Sequence, residues 1–247
     1  MRRQILIFAL VILTSLLVAC KEKEPNESKK DVIQRIEENV NEVKGYYTEL
    51  DRSTTITNLS ADEVVEEGEA KAKLNVIEEP LQISGELFND GEWAEYYVTD
   101  AATLEKKEGE GWEDIMEQAE RYRNLKPTYP EVVQIVLDIG NEDDIVMERK
   151  DDKYIFTFSG ENESIFEAFE DPYSLTLKRD ITQNIKIIVD SETYFVEHME
   201  NALKLEDIMP EGIEEGELDV FIQQTYESFN DKEDITIPQE VLDAASE

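Results

Sequence analysis

AKAKLNVIEEPLQISGELFNDGEWAEYYV, residues 70–98, is the stretch that sets the fold class. Ala70, Ala72, Leu74 and Val76 alternate with Lys71, Lys73 and Asn75, so an extended segment turns one apolar face inward and one wet face outward. Pro80 breaks the run, and Leu81, Ile83 and Gly85 then resume at every second position. Asn89-Asp90-Gly91 is a tight-turn signal, because these residues tolerate left-handed backbone, and it leads directly into Trp93–Val98. Strands joined by such short returns pair with their neighbours as an antiparallel sheet.

The period of two extends in both directions. Thr54–Leu59 alternates as well, which makes a meander of at least four strands, and Leu104–Glu113, with Gly109, Gly111 and Trp112, adds a short edge strand before a turn. Upstream the period changes to helical. Val32, Ile33, Ile36, Val40, Val43 and Tyr47 lie on one stripe, predicting a helix over Asp31–Tyr47 capped by Ser28 or Asp31. Downstream, Ile115, Ala119 and Tyr122 predict a helix over Trp112–Asn124. Pro130 suits the first turn of another, carrying Val132, Val133, Val136 and Leu137 and ended by Gly140–Asp144. Strands return at Tyr154–Phe158. A short helix is expected at Glu163–Phe169, and Ile185–Val189 and Tyr194–Leu203 flank the turn Asp190-Ser191-Glu192-Thr193. A last strand is expected at Val220–Tyr226 and a closing helix at Gln239–Ala245. Helices and strands segregated in this way predict an α+β fold: one curved antiparallel sheet with helices packed on one side.

The N-terminus carries an address. Arg2 and Arg3 precede an apolar run of 14 residues, Ile5–Val18, interrupted only by Thr14 and Ser15. That is the layout of a secretory signal, and the run is shorter than the roughly 20 residues of a bilayer-spanning helix. It closes on Leu17-Val18-Ala19-Cys20, followed by the charged Lys21-Glu22-Lys23-Glu24. This ending resembles the bacterial lipobox. The resemblance implies cleavage before Cys20, a diacylglyceryl group on its thiol, and a protein anchored on the extracellular side of a cell membrane; an uncleaved anchor helix is the alternative. The expected organisation is a signal peptide over 1–19, the lipidated Cys20 with a flexible tether over 20–30, and a single domain over 31–247.

Cys20 is the only cysteine, so acylation leaves no thiol for a disulfide, a metal or nucleophilic catalysis. Residues 1–19 contain two arginines and no acid, so their removal takes the formal charge from −36 to −38. Such a body repels nucleic acid, whose binding needs a positive surface. It also repels an anionic membrane, which leaves the lipid to do the holding. The acidity reads as a solvated surface or as an attractor of cations; with 40% apolar and 9% aromatic residues it is not the acidity of a disordered tail.

Catalytic signatures are missing. The single histidine, His198, alternates with Val196 and Glu200 on a strand, and the sequence holds no nucleophile elbow, zinc-protease helix or phosphate loop. Glu142, Asp143 and Asp144 are hard oxygen ligands, but their spacing does not fit an EF-hand loop. No enzyme activity, metal site or cofactor is expected.

Several segments in order resemble a known family. VKGYYTEL (Val43–Leu50) ends the first helix, EWAEYYV (Glu92–Val98) forms an aromatic strand, and Trp112 stands alone. DDKYIFTF (Asp151–Phe158), IKIIVDSETYFVEHME (Ile185–Glu200) and FNDKEDITIPQEVLDAA (Phe229–Ala245) complete the set. The pattern resembles the Gram-positive lipoproteins related to LppX, LprG and the carrier LolA. The resemblance implies a half-barrel sheet with helices on its concave face and an acylated ligand held between, in a Gram-positive envelope. Two readings of the apolar residues follow. Val32, Ile36, Val40, Val43, Trp93, Tyr96, Tyr97, Tyr154, Phe156 and Phe158 either fill a closed core or line a greasy hollow, where tyrosine hydroxyls can orient a head group. The first implies a protein partner in the envelope, the second a lipid or other hydrophobic ligand.

Overall fold

The structure is a computed structural model and describes residues 27–89, 91–118, 127–173, 175, 181–208 and 215–246. The expected signal segment, Cys20 and the tether as far as residue 26 lie outside the described residues, as does the expected Trp112–Asn124 helix beyond Gln118.

Eleven strands among the described residues make one open, curved, antiparallel sheet. They are β1 (Gly45–Asn58), β2 (Glu63–Ile77), β3 (Gln82–Asn89), β4 (Glu92–Val98), β5 (Thr103–Lys107), β6 (Glu113–Asp114), β7 (Val146–Lys150), β8 (Lys153–Gly160), β9 (Thr182–Asp190), β10 (Val196–Ile208) and β11 (Gly216–Glu227). Their order is β6-β5-β4-β3-β2-β1-β11-β10-β9-β8-β7. Each half is a meander in chain order. The first and last strands join the halves, from Tyr47 opposite Glu227 to Asn58 opposite Gly216. Because β6 and β7 lie at opposite edges, the chain between them must cross the whole sheet.

Three helices cover one face, here the inner face. α1 (Lys29–Asn39) starts on a capping box: the Ser28 hydroxyl accepts from the Asp31 N–H, and the Asp31 side chain accepts from the Ser28 N–H. Helix therefore begins two residues before the expected Asp31, and Lys29 already reaches the body, its Nζ donating to the carbonyls of Glu142 (2.6 Å) and Ile145 (3.0 Å). α2 (Tyr129–Gly140) has Thr128 and Glu131 as its capping box and Pro130 in its first turn. It is buried nearly all round, through Tyr129, Val132, Val133, Ile135, Val136 and Ile139, as suits a helix between α1 and α3. Each of its buried Val and Ile side chains is worth about 1.5–3 kcal/mol relative to water. Gly140 is required by close packing, since a Cβ there would collide with Ile33 of α1. α3 (Glu163–Tyr173) buries Ile165, Phe166, Phe169 and Tyr173.

The fourth helix, α4 (Gln239–Ala244), departs from the expectation that helices cover only the concave face. After β11 the chain runs over the outer face of the first meander. Lys232 Nζ donates to Asn75 Oδ1 on β2 (2.6 Å), and the Ile235 N–H donates to Gln82 Oε1 on β3 (2.7 Å). Val241 then packs with Ala102 and Leu104, against Tyr97, Trp112 and Ile237.

Two local expectations are corrected, and one strand is added. The first helix does not reach Tyr47: it ends at Asn39, a 3₁₀ turn follows at Val40–Glu42, and Gly45 opens β1. Pairing of Tyr46 with Val76 and of Tyr47 with Glu227 overrides the helical stripe. Among the described residues, the expected Trp112–Asn124 helix is the short strand β6 and a 3₁₀ turn, held by the Ile115 N–H donating to Thr103 O at 2.8 Å. β7 carried no sequence signal, because Val146-Met147-Glu148-Arg149-Lys150 is mostly charged and pairs on one side only, with β8.

Candidate functional site

The inner face is buried in the second half; in the first it is buried along Leu74, Val76, Ile83, Tyr96 and Val98 and half-covered beyond them. In the second meander, Tyr154, Phe156 and Phe158 share the inner face of β8, opposite Val189, Ile187 and Ile185 of β9. All six are buried, and Met199 of β10 and Ile222 of β11 continue the layer at 0% exposure. From above, Val32, Ile36 and Val43 are buried in the same cluster, with half-buried Val40 packed against it. These expected cavity residues therefore lie in close-packed core.

Of the three aromatics expected from β4, only Tyr96 faces inward; it is buried, with its hydroxyl donating to Glu105 Oε1 at 2.9 Å. Trp93 and Tyr97 are on the outer face, where strand alternation puts them. Trp93 lies 5.2 Å from Phe88, and Tyr97 lies 5.5 Å from Trp112 beneath α4. They do not line the interior.

In the first meander the inner face stays half-buried along Leu50 and Ile56 of β1, Ala70 of β2, Leu87 of β3 and Ala94 of β4. Register ties these positions together: Leu50 opposes Ala72, Ala72 opposes Leu87, and Leu87 opposes Ala94. The result is a half-buried, largely apolar strip across four strands, called the groove below, that borders the buried core. Arg52 stands in it, its Nη1 donating to the Tyr173 carbonyl at 3.2 Å.

Polar groups on the sealed side fall into two kinds. Gln224 is satisfied: its Oε1 accepts from the Tyr173 hydroxyl (3.1 Å) and its Nε2 donates to Thr48 Oγ1 (3.4 Å) and Pro127 O (3.5 Å). Gln183 and Asn201 are both 0% exposed, yet neither oxygen nor nitrogen of either amide has a hydrogen-bond partner. Leaving such a group unpaired costs about 1–3 kcal/mol. The signal for these residues was an amide in phase with apolar neighbours, Gln183 with Ile185, Ile187 and Val189.

Where the halves meet, tyrosines interlock. Tyr129 lies 5.7 Å from Tyr46 and 5.1 Å from Tyr226. Its N–H donates to the Tyr46 hydroxyl (3.2 Å), and its own hydroxyl accepts from the Val196 N–H (3.0 Å). Burial pushes all three phenols above their ordinary range.

The hydroxyl of Tyr154, expected to face a ligand, is engaged at the N-terminal end of the described chain instead. It donates to Glu27 Oε2 at 2.6 Å, as does Tyr194 at 2.8 Å, and Arg35 Nε pairs with Glu27 Oε1 at 3.1 Å. The Tyr154 hydrogen bond, opposed by burial and helped by Tyr194 and Arg35, holds the Glu27 carboxyl below its ordinary value. The chain coming from Cys20 is thus clamped to the body at Glu27.

Elsewhere the chemistry is sparse. Two clefts of about 350 Å³ each have mixed walls: one is lined by Tyr46, Tyr47, Glu49, Val76, Glu227 and Lys232 among others, the other by Glu131, Ile135, Asp138, Ala168, Asp171 and Pro172 among others. His198 is on the outer face beside Glu200 (3.6 Å), and burial lowers its pKa. Among the described residues no group of three or more His, Cys, Asp or Glu is placed to hold a metal ion. No helix among them is long and apolar enough to cross a membrane.

Residues 28–246 match the sequence profile of a family of unknown function, DUF6612. The chain belongs to that family. A comparison with curated proteins finds no match for this DUF6612 member. Among solved structures it is similar to the lipoprotein LppX of Mycobacterium tuberculosis, at 12% identity and a TM-score of 0.40, over 85% of this chain and 100% of that one. It is also similar to a DUF1329 family protein from Desulfovibrio piger, at 9% identity and a TM-score of 0.22, over 84% of this chain and 94% of that one.

Proposed function

We propose that this protein is a non-enzymatic lipoprotein, anchored at the outer surface of a cell membrane through Cys20, that holds a hydrophobic ligand of lipid type on the inner face of its sheet. The observation that carries the reading is the half-covered apolar groove of Leu50, Ile56, Ala70, Leu87 and Ala94, bordering the buried core. An apolar surface that stays half-buried beside a core suits the seat of an acyl chain. The clamp at Glu27 supports the anchoring, because a chain held at one end of the body would present that end to the bilayer.

Mass spectrometry of organic extracts from the natively purified protein tests the ligand, since a covalent anchor stays behind. A non-covalent lipid near one per chain is the expected result, reduced by Ala70→Trp, which fills the groove. No extractable lipid, together with no saturable uptake of a fluorescent acyl probe, favours the second reading: an interaction lipoprotein with a protein partner in the envelope. The close packing of α1–α3 over the second meander supports that reading. Cys20→Ala is expected to abolish incorporation of labelled fatty acid, because no second thiol exists.

A further inference from the structure

We propose that Gln183 and Asn201 form a polar docking point on the inner face for an uncharged acyl ester that carries a free hydroxyl. The proposal rests on the reading of that face as the seat of a ligand.

The two amides are neighbours. Asn201 on β10 opposes Ile185 on β9, and Gln183 stands two positions from Ile185 on the same face, opposite Leu203. Such diagonal positions lie about 7–8 Å apart, within joint reach of one small polar group. Both side chains are fully buried, and all four of their polar atoms are without a partner. The sheet is able to satisfy an amide on this face, as it does for Gln224 one strand away. Native proteins rarely leave even one buried side chain of this kind unpaired, and two side by side call for a cause.

The surroundings define what can pair with them. Ile185, Leu203, Val220 and Ile222 stand opposite or next to the pair and are all buried, which suits an acyl chain. Each amide lacks both an acceptor for its N–H groups and a donor for its carbonyl. An ester carbonyl answers the first need only; a hydroxyl beside it answers the second. A free carboxylate finds no cation at the amides themselves: Lys186 and Lys204, on the same two strands, are exposed on the outer face, Arg52 stands two strands away with its Nη1 on the Tyr173 carbonyl, and an unpaired anion in an apolar site is strongly disfavoured. The groove ends two strands short of the site, with the fully buried Ile222 between them, so a ligand reaches the amides by displacing the packing there. Asn201 opposes Ile222, and Ile222 opposes Arg52 at the half-covered side. Two strand spacings, about 10 Å, separate the amide from the groove.

Native mass spectrometry of the full chain in detergent micelles, with equimolar monoolein and methyl oleate, tests this. The two esters share one chain and differ in the hydroxyls. Wild type is expected to carry about tenfold more monoolein than methyl oleate. Gln183→Met combined with Asn201→Leu is expected to bring that ratio near one while melting at or above the wild-type temperature, because orphaned amides give way to apolar groups of similar size. Equal uptake of both esters by wild type overturns the docking proposal alone. Uptake of neither overturns the reading of the inner face as a ligand seat. A double variant that melts lower, or that keeps the wild-type preference, assigns the amides to structure and overturns the proposal.

Discussion

The two meanders present the same kind of face to the same three helices, and the first is covered only in part, along Leu74, Val76, Ile83, Tyr96 and Val98. Tyr154, Phe156, Ile187 and Met199 in the second meander are at most 2% exposed. Leu50, Leu87 and Ala94 in the first stay half-buried. Length accounts for part of the difference. β1 and β2 have 14 and 15 residues and run about 46 Å or more. α1, α2 and α3 have 11, 12 and 11 residues, about 17 Å each. Side chains account for the rest: the second meander brings large rings inward, whereas the first brings Ala70, Ala72, Gly85 and Ala94 to the same face. Small residues under a short helix layer leave a groove, and large ones leave none.

The contrast breaks most sharply on truncation. Phe156→Ala, which empties a site at 1% exposure, is expected to cost about 3–5 kcal/mol, against about 1–2 for Leu87→Ala in the groove. Urea unfolding of the two variants measures this, and equal losses would mean that the first meander is as tightly packed as the second. Tyr129→Phe probes the seam between the halves. It removes the acceptor of the buried Val196 N–H, and thermal unfolding is expected to show a loss of about 1–3 kcal/mol.

The hairpin turn of the second meander gives a pH signature. Burial works against the charge of Asp190, but the N–H groups of Thr193 and Glu192, the Thr193 hydroxyl and Lys153 Nζ outweigh it and bring the pKa to about 2. A depressed carboxyl stabilises the fold above its unfolded value of about 3.9 and stops doing so as pH falls through about 2. Asp190→Asn is therefore expected to cost about 1–2 kcal/mol at neutral pH and much less at pH 2, read from melts across that range. An equal cost at both pH values would show that the turn geometry, and not the charge, is what matters. The smallest effect concerns the whole surface. With a formal charge of −36, screening of self-repulsion is expected to raise the melting temperature by about 2–4 °C when salt goes from low to physiological strength. A fall would assign the charges to attractive pairs instead.

Much of the fold was legible because the sequence is locally consistent. The alternation of Ala70–Val76 and Tyr154–Phe158 marks the inner face of β2 and β8, and the cap Ser28 sits where the first helical stripe begins. Pro130 marks the first turn of α2, and Asp190–Thr193 the turn between β9 and β10. The site was less legible. Tyr154 reads as ligand-facing by parity, yet its hydroxyl belongs to Glu27, 127 positions away in the chain. Trp93 and Tyr97 read as cavity aromatics by type, yet α4 and Phe88 claim the outer face on which they stand.

What the sequence determined by itself is what a neighbour along the chain can dictate. Side-chain parity, capping boxes and turn residues act within about four positions, so they leave a mark that one chain can show. What only the tertiary structure decided is what depends on a partner far along the chain. The pairing of β1 with β11 ended the first helix before Tyr47, and the outer-face path of residues 229–246 gave Tyr97 and Trp112 a cover. The burial of Gln183 and Asn201 without partners is of the same kind. An amide carries no record in its own segment of whether a hydrogen-bonding group will face it across the core, because that depends on which elements close over the sheet.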